Sequence, residues 1–252
     1  MKAARIVTAL ACIYCLSPGC RAMADDTSAP PLDASAESNR AHDLEQSALF
    51  KQGLELAAKG DREAAIHDCY DPVIAYYERT HADSHKQYFS ARSTAEALLY
   101  ALEGAKTNTD TLVVSRNWLE AHFLKGFTLI DLRQLDAAHA EFDAALKLAP
   151  HNSQVRAELG SLYNRQGDFT KALETYQRAV DDAEFSPPEA KTLDRVHAYH
   201  GLGYAYTELH QWDEAEKAYR KSLDIDPKNT LSLKELSYIQ QQRKAHPESV
   251  AQ

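Results

Sequence analysis

Residues 196–229, VHAYHGLGYAYTELHQWDEAEKAYRKSLDIDPKN, contain the spacing that decides the fold. Tyr199, Leu202, Gly203 and Tyr206 fall at i, i+3, i+4 and i+7, which sets them on one stripe of a helix. Ala215, Tyr219 and Leu223 form the stripe of a second helix. Pro227 ends the unit, because it lacks an N–H and clashes with the turn before it. Gly203 and Ala215 are small enough for two backbones to approach, and the tyrosines fill the space around them. The segment predicts an antiparallel helix pair.

The pattern repeats upstream. Gly126 and Gly160 are followed, at the distances seen after Gly203, by Ala138 and Ala172, then Phe142 and Tyr176, then Ala145 and Ala179. The first two units span 119–152 and 153–186, a period of 34 residues, with Tyr163 of the second matching Tyr206 and Pro150 of the first matching Pro227. Lys125, Arg156 and Glu184 depart from the pattern. Nine further residues precede the third unit, and Ser186-Pro187-Pro188-Glu189 at their start reads as a capping box with Pro at the first helical position. The first helix of that unit is therefore expected to extend back to 187, about two turns beyond standard.

This chain resembles the tetratricopeptide-repeat (TPR) family, whose signature of a large residue, Leu-Gly, Tyr, Ala, an aromatic and a closing Pro runs over about 34 residues. The resemblance implies an all-α fold, a right-handed superhelical solenoid of antiparallel helix pairs. A capping helix over 230–244, with Leu231, Leu233, Leu236 and Ile239 and a polar outer face, is expected to close it.

The period weakens toward the N-terminus. Residues 44–116 read as a degenerate TPR-like unit plus an extra helix: Gly53, Gly60-Asp61 and Ala65 keep the spacing, and Cys69 stands where the aromatic belongs, as a buried small hydrophobe. Asp71-Pro72 predicts a kinked or restarted second helix. A helix is expected over 86–106 and a loop over 108–115. Residues 25–43, rich in Asp, Ser, Ala, Pro and Glu, read as a disordered leader. Before them, Lys2, Arg5, the apolar run 6–16 and Ala22-Met23-Ala24 read as a signal peptide over 1–24 cut after Ala24. Cys20 as a lipid anchor is the competing reading. An apolar run of 11 residues is short of the roughly 20 that span a bilayer, so no transmembrane segment is expected. An exported protein, periplasmic or secreted, follows.

Hydrophobic content of 44% against 26% charged suffices for a core. The formal charge is −9, and removal of Lys2, Arg5 and Arg21 would take it to −12, which disfavours nucleic acid as a partner. His81 with His85 and His197 with His200 are the closest histidine pairs, and neither has the neighbouring Glu of a zinc-hydrolase motif. No phosphate-cradling glycine loop and no Gly-x-Ser-x-Gly elbow occurs. The reading contains no catalytic residue, no metal site and no cofactor.

What remains is a binding surface. The resemblance implies a concave groove lined by first-helix positions: Glu120, Phe123, Phe127 and Asp131; Gln154, Ala157, Ser161, Asn164 and Arg165; His197, His200, Tyr204, Thr207 and Glu208. The family's Lys-Asn-Arg clamp for a terminal carboxylate is absent, since Phe, Ala, Ser, His and Tyr hold those places. The expected function is a non-catalytic scaffold or adaptor of the cell envelope, with a protein or peptide held near Phe127 and Tyr204 by apolar anchors. The alternatives are a self-assembling structural protein and an enzyme with an unrecognised histidine-containing site.

Overall fold

The computed structural model describes residues 34–245. The signal read at 1–24 with its cut at Ala24, the Cys20 reading and residues 25–33 of the leader lie outside the described residues. The chain divides into two compact units, 1–73 and 74–252.

In the first unit, α1 (Ala34–Lys59) is followed by the short α2 (Arg62–Ala64), a π-helical stretch (Ala65–Tyr70) and α3 (Asp71–Thr80), which leads out of the unit. Helix α1 overturns the expectation of a leader reaching to 43. Residues 34–43 contain no Gly or Pro, and extending a helix that is anchored further along costs little per residue. The break expected at Asp71-Pro72 is a change of helix type instead: the chain stays helical from Arg62 to Thr80, and the π-helical stretch passes into α-helix at Asp71 without a gap. That stretch also corrects the place of the aromatic. Gly126 faces Phe142, Gly160 faces Tyr176 and Gly203 faces Tyr219, each pair 16 residues apart, whereas Gly53 faces Tyr70, one residue further along. The wider π turn takes up the extra residue, so Tyr70 is the repeat aromatic and Cys69 is its buried neighbour. Burial, with Asp68 nearby, pushes the Cys69 thiol pKa up.

The second unit carries one short pair of strands in an otherwise all-α fold. Strands β1 (Lys86–Ser90) and β2 (Asp110–Val114) flank α4 (Thr94–Thr107) and pair in parallel, Lys86 opposite Asp110 and Ser90 opposite Val114. The expected helix over 86–106 therefore begins only at Thr94, and the expected loop over 108–115 is mostly strand. Tyr88 and Phe89 in β1, and Leu112, Val113 and Val114 in β2, are strand formers, and Phe89 stacks on Tyr100 of α4 at 4.8 Å. Helix α4 has a true N-cap: Ser93 Oγ accepts from the Glu96 amide at 3.1 Å.

The repeats follow as α5 (Arg116–Asp131), α6 (Leu135–Leu148), α7 (Ser153–Gln166), α8 (Phe169–Asp182), α9 (Pro188–Glu208) and α10 (Trp212–Ile225), with α11 (Thr230–Ala245) behind them. Each first helix packs on its own second helix and on the next first helix, which is the solenoid arrangement the period predicts. Ala138, Phe142, Ala145, Ala172, Tyr176, Ala179, Ala215 and Tyr219 are buried between the helices. Helix α9 has 21 residues against 14 in α7, the expected two extra turns. Its capping box does not form: Pro187 is the N-cap, and Ser186 Oγ donates to Asp194 Oδ2 at 2.6 Å. Helix α11 has exposed Leu231, Leu233 and Tyr238, so its outer side is not wholly polar.

Two polar clusters tie the βαβ segment to the repeats. In the first, the Arg92 guanidinium donates to Glu96 Oε1 at 3.2 Å, Asp194 Oδ2 at 3.2 Å and Ser186 Oγ at 3.1 Å. In the second, the His151 ring pairs through Nδ1 with Asp182 at 2.9 Å and through Nε2 with Glu103 at 3.0 Å. It stacks on Tyr100 at 6.1 Å and lies 5.6 Å from the Phe185 ring, while Arg156 Nε holds Asp182 at 2.5 Å. Burial disfavours the charged ring, but the hydrogen bonds to Asp182 and Glu103 outweigh it and raise the His151 pKa above its ordinary value. A raised histidine pKa gives stability that is fully present below the unfolded value of about 6.5 and lost as pH rises through the folded value. His151→Gln is therefore expected to lower the melting temperature more at about pH 5.5 than at about pH 8.5. Equal losses at both would remove the charged form from the cluster.

Candidate partner-binding groove

Helices α5, α7, α9 and α11 lie side by side, so their shared surface carries the positions nominated from the repeat. The structure divides those positions into three groups. Phe123, Ala157 and Thr207 are buried and correct the expectation. Phe123 packs on Phe142 at 6.2 Å, and Ala157 belongs to the core cluster around Tyr176. Thr207 Oγ1 donates to the Gly203 carbonyl at 2.9 Å and lies 3.5 Å from the Tyr219 hydroxyl.

A second group is half-buried and already engaged. Ser161 and Asn164 hydrogen-bond the Tyr176 hydroxyl, so both point between helices. His200 Nδ1 lies 3.3 Å from Ser232 Oγ, and its ring is 5.5 Å from Tyr219. Burial, with His197 adding to it, lowers the His200 pKa to about 4, which keeps the ring neutral near pH 7. His197 Nδ1 is 3.9 Å from Glu158 Oε1. Glu120 accepts from Arg116 Nη2 at 2.6 Å, and burial raises its carboxyl pKa despite that cation.

The third group is open to solvent or partly so: Phe127 and Gln154 are half-buried, and Asp131, Arg165, Tyr204 and Glu208 are exposed. Tyr204 is 38% exposed, and its hydroxyl meets Glu208 with Glu235 nearby. Burial and the Glu208 charge raise the Glu235 carboxyl pKa, and no cation lies within ion-pair distance of either carboxylate among the described residues. Tyr238, 44% exposed, holds on α11 the place of Tyr204 on α9. The groove positions expected from the sequence omit Glu235 and Tyr238, although each lies 34 residues after its counterpart, Gly201 and Tyr204. Continuing the period past Pro227 finds them, because the capping helix α11 keeps the spacing of a repeat's first helix.

Among the described residues, no three His, Cys, Asp or Glu side chains converge as metal ligands, and no helix is long and apolar enough to cross a membrane.

Family models described as tetratricopeptide repeat match residues 119–152 and 151–228. Over 156 residues the chain is 26% identical to anaphase-promoting complex subunit CDC16 of Saccharomyces cerevisiae, covering 60% of this chain and 18% of that protein. Over 193 residues it is 28% identical to BBSome complex member BBS4 of Bos taurus, covering 75% and 33%. The chain thus spans a third or less of the length of these relatives. Among solved structures, MamA 41-end from Desulfovibrio magneticus RS-1 superposes with a TM-score of 0.51 at 17% identity, covering 81% of this chain and 89% of that one, a likeness of fold.

Proposed function

We propose, for a chain that belongs to the tetratricopeptide-repeat family through residues 119–228, that it is a non-catalytic scaffold holding a protein or peptide segment along α5, α7, α9 and α11. The observation that carries this reading is the aromatic pair Tyr204 and Tyr238, partly exposed at equivalent places on neighbouring helices beside two carboxylates without a cation. Exposed tyrosines supply contact area at little entropic cost, and the carboxylates favour a segment with a positive group between apolar anchors. The two relatives described above are by name a complex subunit and a complex member, which supports work inside an assembly. Export to the cell envelope is part of the proposal and rests on the signal pattern at 1–24.

The test is affinity capture by the chain from the envelope of its own cell, repeated with Phe127→Ala and Tyr204→Ala together. Loss of about tenfold or more in the captured partner is expected, since each anchor contributes on the order of 1 kcal/mol or more. A captured set unchanged by the double substitution, at unchanged helicity, would remove the groove. The intact mass of the envelope protein is expected to begin at Asp25; a precursor still carrying residues 1–24 would remove export through that signal.

A further inference from the structure

Among the described residues, helix α4 is covered on one side only. Glu96, Tyr100 and Gly104 face inward, toward Arg92, the His151 cluster and Thr111 respectively. The opposite side presents Ala95, Leu98, Ala101, Leu102 and Ala105 to solvent, with Leu98 61% and Leu102 51% exposed. Ala95, Leu98, Leu102 and Ala105 are spaced three, four and three residues apart, the spacing of an apolar seam between paired helices. Val113 of β2 shares the α4 side of the two strands with Thr111 and is also exposed.

We propose that this seam joins two copies of the chain, with the α4 helices antiparallel about a two-fold axis at the level of residue 100. Three observations select a second copy as the occupant. The spacing reads the same in both directions, so Leu98 of one copy meets Leu102 of the other and Ala95 meets Ala105, as an isologous interface requires. The small alanines at the ends let the axes approach to about 8 Å. The charge distribution points the same way. The two acids of α4 are withdrawn from the seam, Glu96 to Arg92 and Glu103 to His151, which lowers like-charge repulsion where two copies of an acidic chain would meet.

The size of the seam sets the strength. Fourteen residues make a helix about 21 Å long, and a pair of that length with the adjoining strand residues buries on the order of 1,000 Å², the low end for a specific interface. The dimer is weak and concentration-dependent, and it leaves the partner groove free.

Sedimentation equilibrium on the purified chain tests this. A monomer–dimer equilibrium with Kd on the order of 10–100 µM is expected. Leu98→Glu with Leu102→Glu is expected to weaken it by at least about tenfold without lowering helicity, since both side chains are exposed and Glu is a good helix former. Leu98→Gln alone is expected to weaken it less. Tyr204→Ala is expected to leave it unchanged, which separates this interface from the groove. A monomer at about 1 mM, or a dimer that survives the double Glu substitution, overturns the proposal.

Discussion

Arg92→Ala is expected to destabilise the repeat-bearing unit by about 3–5 kcal/mol, the usual cost of removing one partner from a buried ion cluster. Glu96 is fully buried, Asp194 is 6% exposed, and Arg92 is the cation that reaches both carboxylates. Burial already raises the Glu96 carboxyl pKa in spite of the Arg92 charge, so without that charge the anion is badly placed and takes up a proton. The variant's deficit is therefore expected to shrink as pH falls toward about 5, a dependence that lost packing alone does not produce. Arg92→Lys is expected to recover only part of the stability, because one ammonium cannot supply the fork that meets Glu96, Asp194 and Ser186 together. Denaturant unfolding measures all three values. A loss of under about 1 kcal/mol for Arg92→Ala would mean that the cluster contributes nothing beyond its packing.

Gly201→Ala is expected to cost about 2–3 kcal/mol even though alanine is the better helix former. A β-carbon at 201 would fall within 3.0 Å of three atoms of the Tyr176 side chain, which is packed among Ala157, Ala172, Ala179 and Ala198 with no free end to move. Either α9 shifts away from α8 or the tyrosine leaves its place, and both open the core between units. Tyr176→Leu is expected to be costly alone and to couple with Gly201→Ala, so that the double variant loses less than the two single losses combined. Gly167→Ala provides a contrast, since nothing lies within 4 Å of its position and its penalty comes from the left-handed backbone, φ 77°, at about 1 kcal/mol. Calorimetry of the three single variants and the double variant decides it. Strict additivity would place the strain outside the 176–201 contact.

The exposure of several nominated first-helix positions is legible in the amino-acid sequence. Tyr204, Glu208 and Phe127 lie where the period puts them. His200 and Thr207 occupy equally regular positions yet are turned to Ser232 and Tyr219, contacts that depend on how α10 and α11 close over α9. Ser186 shows the same limit. Its spacing to Glu189 is that of a capping box, but Asp194 and Arg92 offer its hydroxyl stronger, charged partners.

The sequence by itself determined the helix pairs, their small and aromatic contact residues and the long α9. Each of these is written in separations of a few residues, where the helical period sets which side chains share a face. The tertiary structure alone decided that the Tyr70 ring packs on Gly53 beside Cys69, that 86–90 and 110–114 pair as strands, and that Arg92 closes on Asp194, 102 residues away. A strand needs its neighbour and a buried charge needs its counter-ion, and the energy of either lies in a partner that no local stretch of sequence contains.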